Sequence, residues 1–320
     1  MTVRYRDGIE FELSDGTRVV CDADGPDGDV NVVSHAHGDH VPDSETTAVC
    51  SPLTADLVTA RRGTPLRRTT DDRVTLYPAG HVAGSRAALI TDPDGTRYLY
   101  TGDVCTRPRF YLPGFDPPDA DVLVVEATYG EPGYEFPSHG TVLSEIRTWL
   151  AETAGPVLLL GYALGRAQKL QRIAADAGWQ VYTTDAVRRV NETIETYRNV
   201  RFESQPYEAT DLEAGDALVV PTTTARVDWV EQVAAETGAV KAGFSGWAVE
   251  SSFAFRGDYD VTFPLSDHCD FPELCDLVAT VDPERVYTQH GSTEAFARHL
   301  TQAGYDARAL RRNQSTLDEF

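Results

Sequence analysis

Residues 34–40 read SHAHGDH, directly after the apolar run Val30, Val32 and Val33. Four potential metal ligands, His35, His37, Asp39 and His40, therefore fall within six residues. In an extended or turning backbone, side chains two apart leave the same face, so His35 and His37 can grip one ion while Asp39 and His40 reach a second. Imidazole and carboxylate suit zinc, and a pair of such ions is what a two-metal hydrolase requires. The bland alternative, a solvated loop with chance histidines, has to place three of the chain's eight histidines here by accident.

The other candidate ligands share one habit: each closes an apolar run that reads as a strand. His81 follows residues 74–79, Asp103 follows 98–101, Glu126 ends 121–126, His268 follows 262–267 and His290 ends 285–289. Layered α/β folds present chemistry at such strand ends. Any one of these residues alone reads as structural; together with the first cluster they point to one site.

Further strands are predicted at 18–23, 30–34, 73–78, 87–91, 156–161, 217–221, 240–244 and 261–264, and helices at 141–153, 166–177, 226–237, 271–280 and 294–303. The segment DPDGT at 92–96 is a turn signal that makes a hairpin of its flanks. With 320 residues and 41% hydrophobic content, one large α/β domain, or one carrying an insertion, is expected. Five cysteines, odd in number and without a C-x-x-C pair, are expected to be reduced and buried. No targeting signal and no run near ~20 apolar residues is visible, so a cytoplasmic protein with no membrane association is expected.

The net charge of −22 is made with dispersed acids, and lysine occurs only at Lys169 and Lys241. That choice fits a halophilic, salt-rich cytoplasm, where a Debye length of ~3 Å at 1 M screens self-repulsion. Acids clustered into blocks would instead have indicated basic partners.

The order HxHxDH, then His81 in PAGHVAGS, then TGD at Asp103, resembles the metallo-β-lactamase fold. EATYG at Glu126, GYALGRAQKL at 161–170, LSDHCDF around His268 and QHGS at His290 resemble the β-CASP nucleases nearly end to end. FSGWAVE at 244–250, with LSDHCDF, is most similar to the compact subgroup described as archaeal mRNA 3′-end processing factor-like or ligase-associated exonuclease-like. The fold this implies is α/β, an αββα metallo-β-lactamase sandwich with a short inserted β-CASP-like cap. Residues 1–154 would form its first part, 155–243 the cap and 244–320 the completing part.

By the same resemblance, His35, His37 and His81 would hold one zinc, Asp39, His40 and His290 a second, and Asp103 would bridge them, with manganese as a substitute metal. Asp22 would support the site without binding metal. His268 would act as general acid, oriented by Glu126. Arg166, at a helix start, can pair with a phosphate, Gln168 can hold the turn or a substrate oxygen, and Ser292 joins them as a substrate contact. Arg107 and Arg109 are placed to meet phosphates or local acids, and Trp247 to stack on a base or to pack.

The implied activity is zinc-dependent hydrolysis of single-stranded nucleic acid through a shared hydroxide, with RNA ahead of DNA. A ligase-associated DNA exonuclease, a small-molecule ester or thioester hydrolase of the same fold, and a silent nucleic-acid-binding scaffold are the alternatives. The chain starts almost on its first strand, so the KH modules of larger archaeal relatives are expected to be absent. Recruitment would then fall to the cap, a homodimer or a partner.

Overall fold

A computed structural model of the chain describes residues 2–208 and 212–312. The chain forms two compact units, the first of residues 1–135 and 268–320, the second of residues 136–267.

The first unit opens with β1 (Thr2–Tyr5), β2 (Ile9–Glu12), β3 (Arg18–Cys21), β4 (Val30–Val32), β5 (Thr46–Val49), helix α1 (Pro52–Arg62) and β6 (Leu66–Thr69). Its six strands lie side by side in chain order, antiparallel from β1 to β3 and parallel from β3 to β6. A second sheet begins as a meander of β7 (Val74–Pro78), β8 (Arg86–Thr91) and β9 (Arg97–Tyr100), joined by β10 (Val122–Ala127) parallel to β9. The expected hairpin is present, its turn closed by Asp92 N–H donating to Thr96 O and Gly95 N–H to Asp92 O.

The second unit comprises α2 (His139–Glu152), β11 (Val157–Gly161), α3 (Arg166–Asp176), β12 (Gln180–Thr183), α4 (Asp185–Tyr197), β13 (Gln205–Pro206), β14 (Asp216–Pro221), α5 (Asp228–Thr237), β15 (Val240–Phe244), α6 (Ser252–Gly257) and β16 (Val261–Phe263). The strands make a parallel sheet in the order β13-β12-β14-β11-β15-β16. Val157 and Leu159 of β11 enter the core on one face, and Leu158 and Leu160 enter the core on the other. A central parallel strand is covered on both sides, hence the unbroken apolar run. This unit is wider than the 155–243 expected for the cap. Val142, Ile146 and Leu150 of α2 share the core of Val157 and Ala167, and β16 pairs with β15, so both flanking elements belong with it.

The chain then returns to the first unit with α7 (Phe271–Val281), β17 (Arg285–Gly291), α8 (Thr293–Gln302) and β18 (Ala307–Ala309). Strand β17 enters between β10 and β18, completing the order β18-β17-β10-β9-β8-β7. Strand alternation builds two cores from this sheet. Ala88, Ile90, Tyr98, Tyr100 and Val124 meet Phe11, Val19, Val32 and Val49 of the first sheet. Leu89, Leu99, Leu123 and Val125 face Leu274, Leu277 and Val278 of α7 and Phe296 and Leu300 of α8. With α1 packed on β6, the unit is the expected αββα sandwich. Cys21, Cys50, Cys105 and Cys269 are buried thiols and Cys275 is half-buried. Among the described residues, no helix is long and apolar enough to cross a membrane.

Candidate active site

In the first unit, β3, β4, β7 and β9 run out into loops that carry Asp22, His35 to His40, His81 and Asp103, and Glu126 and His290 stand near the ends of β10 and β17. Asp22 follows β3 in the left-handed region at φ 52. The segment after β4 delivers His35 and His37 and tightens into a 3-10 turn at Gly38–His40. Gly102 precedes Asp103 at φ 55, and a Cβ there would lie 2.7 Å from the Ser34 side chain, so the TGD turn requires glycine to approach the histidine loop.

His290 is placed by a register shift. Glu126 of β10 pairs with Gln289 of β17 and Ala127 pairs with Gly291, which leaves His290 as an extra residue in the ladder, at φ 58. A bulge of this kind re-aims a side chain at the rim of a sheet.

The structure brings the two expected ligand sets together. Donor atoms of His35, His37, His81 and Asp103 lie within 4.8 Å of one another, as do those of Asp39, His40 and His290. Asp103 stands between the sets. Its Oδ2 is 3.4 Å from His35 Nε2 and 3.5 Å from His81 Nε2, and its Oδ1 is 3.5 Å from His40 Nε2. His35, His81, His40 and Asp103 are buried, whereas Asp39 and His290 are exposed.

The donors fit a divalent cation. Burial, and then repulsion from His40, His37, His81 and His268, hold His35 well below the ordinary imidazole value, so its ring stays neutral with a lone pair to give. Burial also lowers His40, but Asp103, Asp22 and Asp39 outweigh it and lift the ring to about 10. That corner therefore favours positive charge, which a metal would supply in place of a proton. His40 Nε2 and Asp103 Oδ1 are buried with no hydrogen-bond partner among the described residues. Buried polar atoms left so require a partner, and two facing each other across 3.5 Å are placed for an ion.

Around this cluster lies a supporting layer. Asp22 Oδ2 accepts from His40 Nδ1 at 2.8 Å, from Tyr100 Oη at 2.8 Å and from Ser34 Oγ, while its Oδ1 accepts from Ser34 N at 2.7 Å. This fixes which ring nitrogen His40 turns inward. His268 Nδ1 lies 2.9 Å from both oxygens of Glu126, which also accept from Val104 N at 2.7 Å and from Thr128 Oγ1. Burial raises Glu126, but the His268 charge and these hydrogen bonds outweigh it and keep the carboxyl below its ordinary value.

The other candidate residues make contacts within the protein, Gln168 and Arg107 each in one of the roles expected of them. Arg166, expected at a phosphate, is buried in the second unit, where it donates to Phe244 O at 2.8 Å and pairs with Asp267 at 3.1 Å. Lys169, equally buried, pairs with the same Asp267, so these cations neutralise a buried acid. Gln168 holds the turn, accepting from Gly165 N at 2.7 Å and donating to Ala163 O at 3.0 Å. Ser292 directs its hydroxyl to Glu131 at 2.9 Å. Arg109 is buried behind His81 and donates to Gly80 O at 2.7 Å and His81 O at 3.3 Å. Arg107 donates to His268 O at 3.1 Å and pairs with Glu273 at 2.8 Å. These two arginines brace the site from behind. Ser34, Tyr100 and Thr128 were not singled out by sequence reasoning; lying within three residues of His35, Asp103 and Glu126 is the one sequence signal they carry.

No family profile matches the chain. It is 32% identical over 294 residues to a probable DNA ligase of Opitutus terrae, covering 87% of this chain and 28% of that protein. It is 31% identical over 178 residues to an RNase J-like protein of Methanocaldococcus jannaschii, covering 44% of this chain and 42% of that one. To the DNA cross-link repair protein SNM1 of Arabidopsis thaliana it is 24% identical over 255 residues, 72% of this chain and 51% of the relative. The chain thus spans only part of each relative's length. Among solved structures, a protein of unknown function from Enterococcus faecalis V583 matches with a TM-score of 0.61 over 92% of this chain and 82% of that chain, at 13% identity, which is a likeness of fold alone. The sandwich, the convergent strand-end ligands and these relatives agree, and the chain belongs to the metallo-β-lactamase-fold β-CASP nuclease family.

Proposed function

We propose that this chain hydrolyses phosphodiester bonds of single-stranded nucleic acid, with two zinc ions, or manganese in their place, held by His35, His37 and His81 on one side and Asp39, His40 and His290 on the other. What carries the reading is Asp103 standing between two histidine sets beside the His268–Glu126 pair. Bound divalent cations would supply a water of lowered pKa and neutralise charge on the phosphoryl oxygens. The chain's own residues do the rest. Asp103 reaches toward both sets, and Asp22 pins His40. Glu126 holds His268 Nδ1, so that the opposite ring nitrogen can deliver a proton to the leaving oxygen. A small-molecule esterase has no need of this last pair, which supports the nuclease reading over that alternative.

RNA is the substrate favoured by the sequence motifs, and the RNase J-like relative is in keeping with it. A second reading, DNA, is favoured by one observation: the match to the probable DNA ligase runs along 87% of this chain. The test incubates the protein in high salt with end-labelled single-stranded RNA and DNA of one sequence, with zinc or manganese, beside Asp39→Ala and His268→Ala. Metal-dependent shortening abolished by both substitutions is expected, and the better-cut strand decides between the two readings. Degradation indifferent to both substitutions rejects the mechanism, and ester hydrolysis without strand cleavage favours the esterase.

A further inference from the structure

Strands β14, β11, β15 and β16 of the second unit are parallel neighbours, so their carboxyl ends share one edge of that sheet. Crevices at such an edge are where open α/β sheets take ligands. Around the ends of β14 and β15 is a cavity of about 330 Å³, lined in part by Thr222, Arg226, Trp247, Phe253, Arg256 and Tyr259. That is near the lower bound of ligand pockets, roughly 300 to 1,000 Å³.

Its chemistry differs from that of the rest of the chain. The protein has 50 acidic residues against 28 Lys and Arg, yet no carboxylate lines this cavity among the described residues, and two arginines do. Both are exposed and both are steadied. Arg226 donates to Phe255 O at 2.7 Å, and Arg256 to Glu250 Oε2 at 3.1 Å, each with further N–H groups in its fork. The aromatic floor is held in place: the Tyr259 ring lies over Gly257 and Gly243, where a Cβ would come within 2.0 and 2.4 Å of it, and Phe253 meets it at 5.2 Å. Trp247 is half-buried beside them. Thr222 Oγ1 is shielded from solvent and has no hydrogen-bond partner among the described residues. A shielded hydroxyl left so points to a partner that arrives with a ligand.

We propose that this cleft receives one base of a single-stranded nucleic acid, its face on Trp247, its polar edge at the Thr222 hydroxyl and its flanking phosphates on Arg226 and Arg256. Flat aromatic faces between two arginines, one of them already paired with the Glu250 carboxylate but keeping further N–H groups, match a stacked base joined to anions. The proposal rests on the nucleic-acid reading above and adds a subsite that none of the strand-end ligands provides.

The test uses the full chain carrying Asp39→Ala, so that bound strands stay whole, and measures fluorescence anisotropy with labelled oligothymidylate and with an abasic oligomer of the same length. Trp247→Leu in that background is expected to weaken oligothymidylate binding about 5- to 100-fold, the range for loss of one stacked base, and to leave the abasic oligomer unaffected. Trp247→Phe, which keeps a stacking ring, is expected to restore most of the preference for bases, and Arg256→Gln to weaken both oligomers alike. An unchanged ratio of the two affinities in the leucine variant, with binding intact, overturns this cleft while leaving the nuclease reading in place. Failure of the Asp39→Ala protein to bind these oligomers and a labelled oligouridylate of the same length overturns the nucleic-acid reading and the cleft with it.

Discussion

Asp22 is bonded to His40 and His268 to Glu126, and substitutions of Asp22 and His268 separate metal retention from chemistry. If His268 is the general acid proposed above, His268→Ala is expected to slow single-turnover cleavage about 10²- to 10⁴-fold, with metal content per chain unchanged by elemental analysis. Asp22→Asn weakens the acceptor that orients His40, so metal affinity measured against a competing chelator is expected to fall about 10- to 100-fold. The donor cluster was legible in the sequence because histidine is scarce and its spacing here is unusual. Its supports were not. Tyr100 reads as one more strand residue, and nothing near Arg109 announces that it will be buried against Gly80 and His81. Arg166 misled for the same reason: an arginine at a helix start looks ready for phosphate, and its partner Asp267 lies far along the sequence.

At the scale of elements, two junctions shape the site. The end of β17 turns left-handed twice, at His290 with φ 58 and at Gly291 with φ 77. A Cβ on Gly291 would stand 2.5 Å from Ala127 O and Thr128 Cα, both backbone atoms of the strand-end that presents Glu126. Gly291→Ala is therefore expected to cost about 1–3 kcal/mol in chemical denaturation and to weaken metal binding by displacing His290. The second junction is the start of α7, where Glu273 caps Asp270 N at 3.1 Å and pairs with Arg107. Burial pushes Glu273 up to about 7, although Arg107 pulls it down. The folded value exceeds the unfolded one, so the folded chain holds this proton more tightly, and the associated stability is complete below about 4.5 and is lost as pH climbs through about 7. Denaturation midpoints across that window are expected to decline less steeply in Glu273→Gln than in the parent. Elements with strong apolar periodicity, such as β8, β11 and α7, were readable in advance. β1 and β2 were not, because each is four residues long and carries charged side chains, although Ile9, Phe11 and Leu13 do alternate with Glu10 and Glu12. Nor was α4, whose stripe of Val187, Val190 and Ile194 is narrow among charged neighbours.

At the scale of the whole molecule, a net charge of −22 would oppose the polyanionic substrate proposed above. Attraction must be local, at the metals and at a few arginines. If Arg226 and Arg256 neutralise two phosphates, the salt slope is about −1.4, and a fourfold rise in salt weakens single-strand binding only about sevenfold. Titrations at several KCl concentrations check this, and a fall of several orders of magnitude would rule it out. The α/β class and the presence of an insertion were visible in the motif order. The extent of the second unit was not, because α2 joins it through Val142, Ile146 and Leu150, three residues that resemble any amphipathic stripe.

Strand β17 threads beside β10 only after the chain has left the first unit at Glu135 and come back at His268. A ribosome must therefore translate beyond Gly291 before His268 and His290 can join donors made long before. At about 5–20 residues per second, the stretch from Glu135 to Gly291 takes roughly 8 to 30 seconds to be made, and for that time the earlier donors wait for their two late partners. Connectivity alone thereby makes the donor cluster one of the last parts of the unit to be completed.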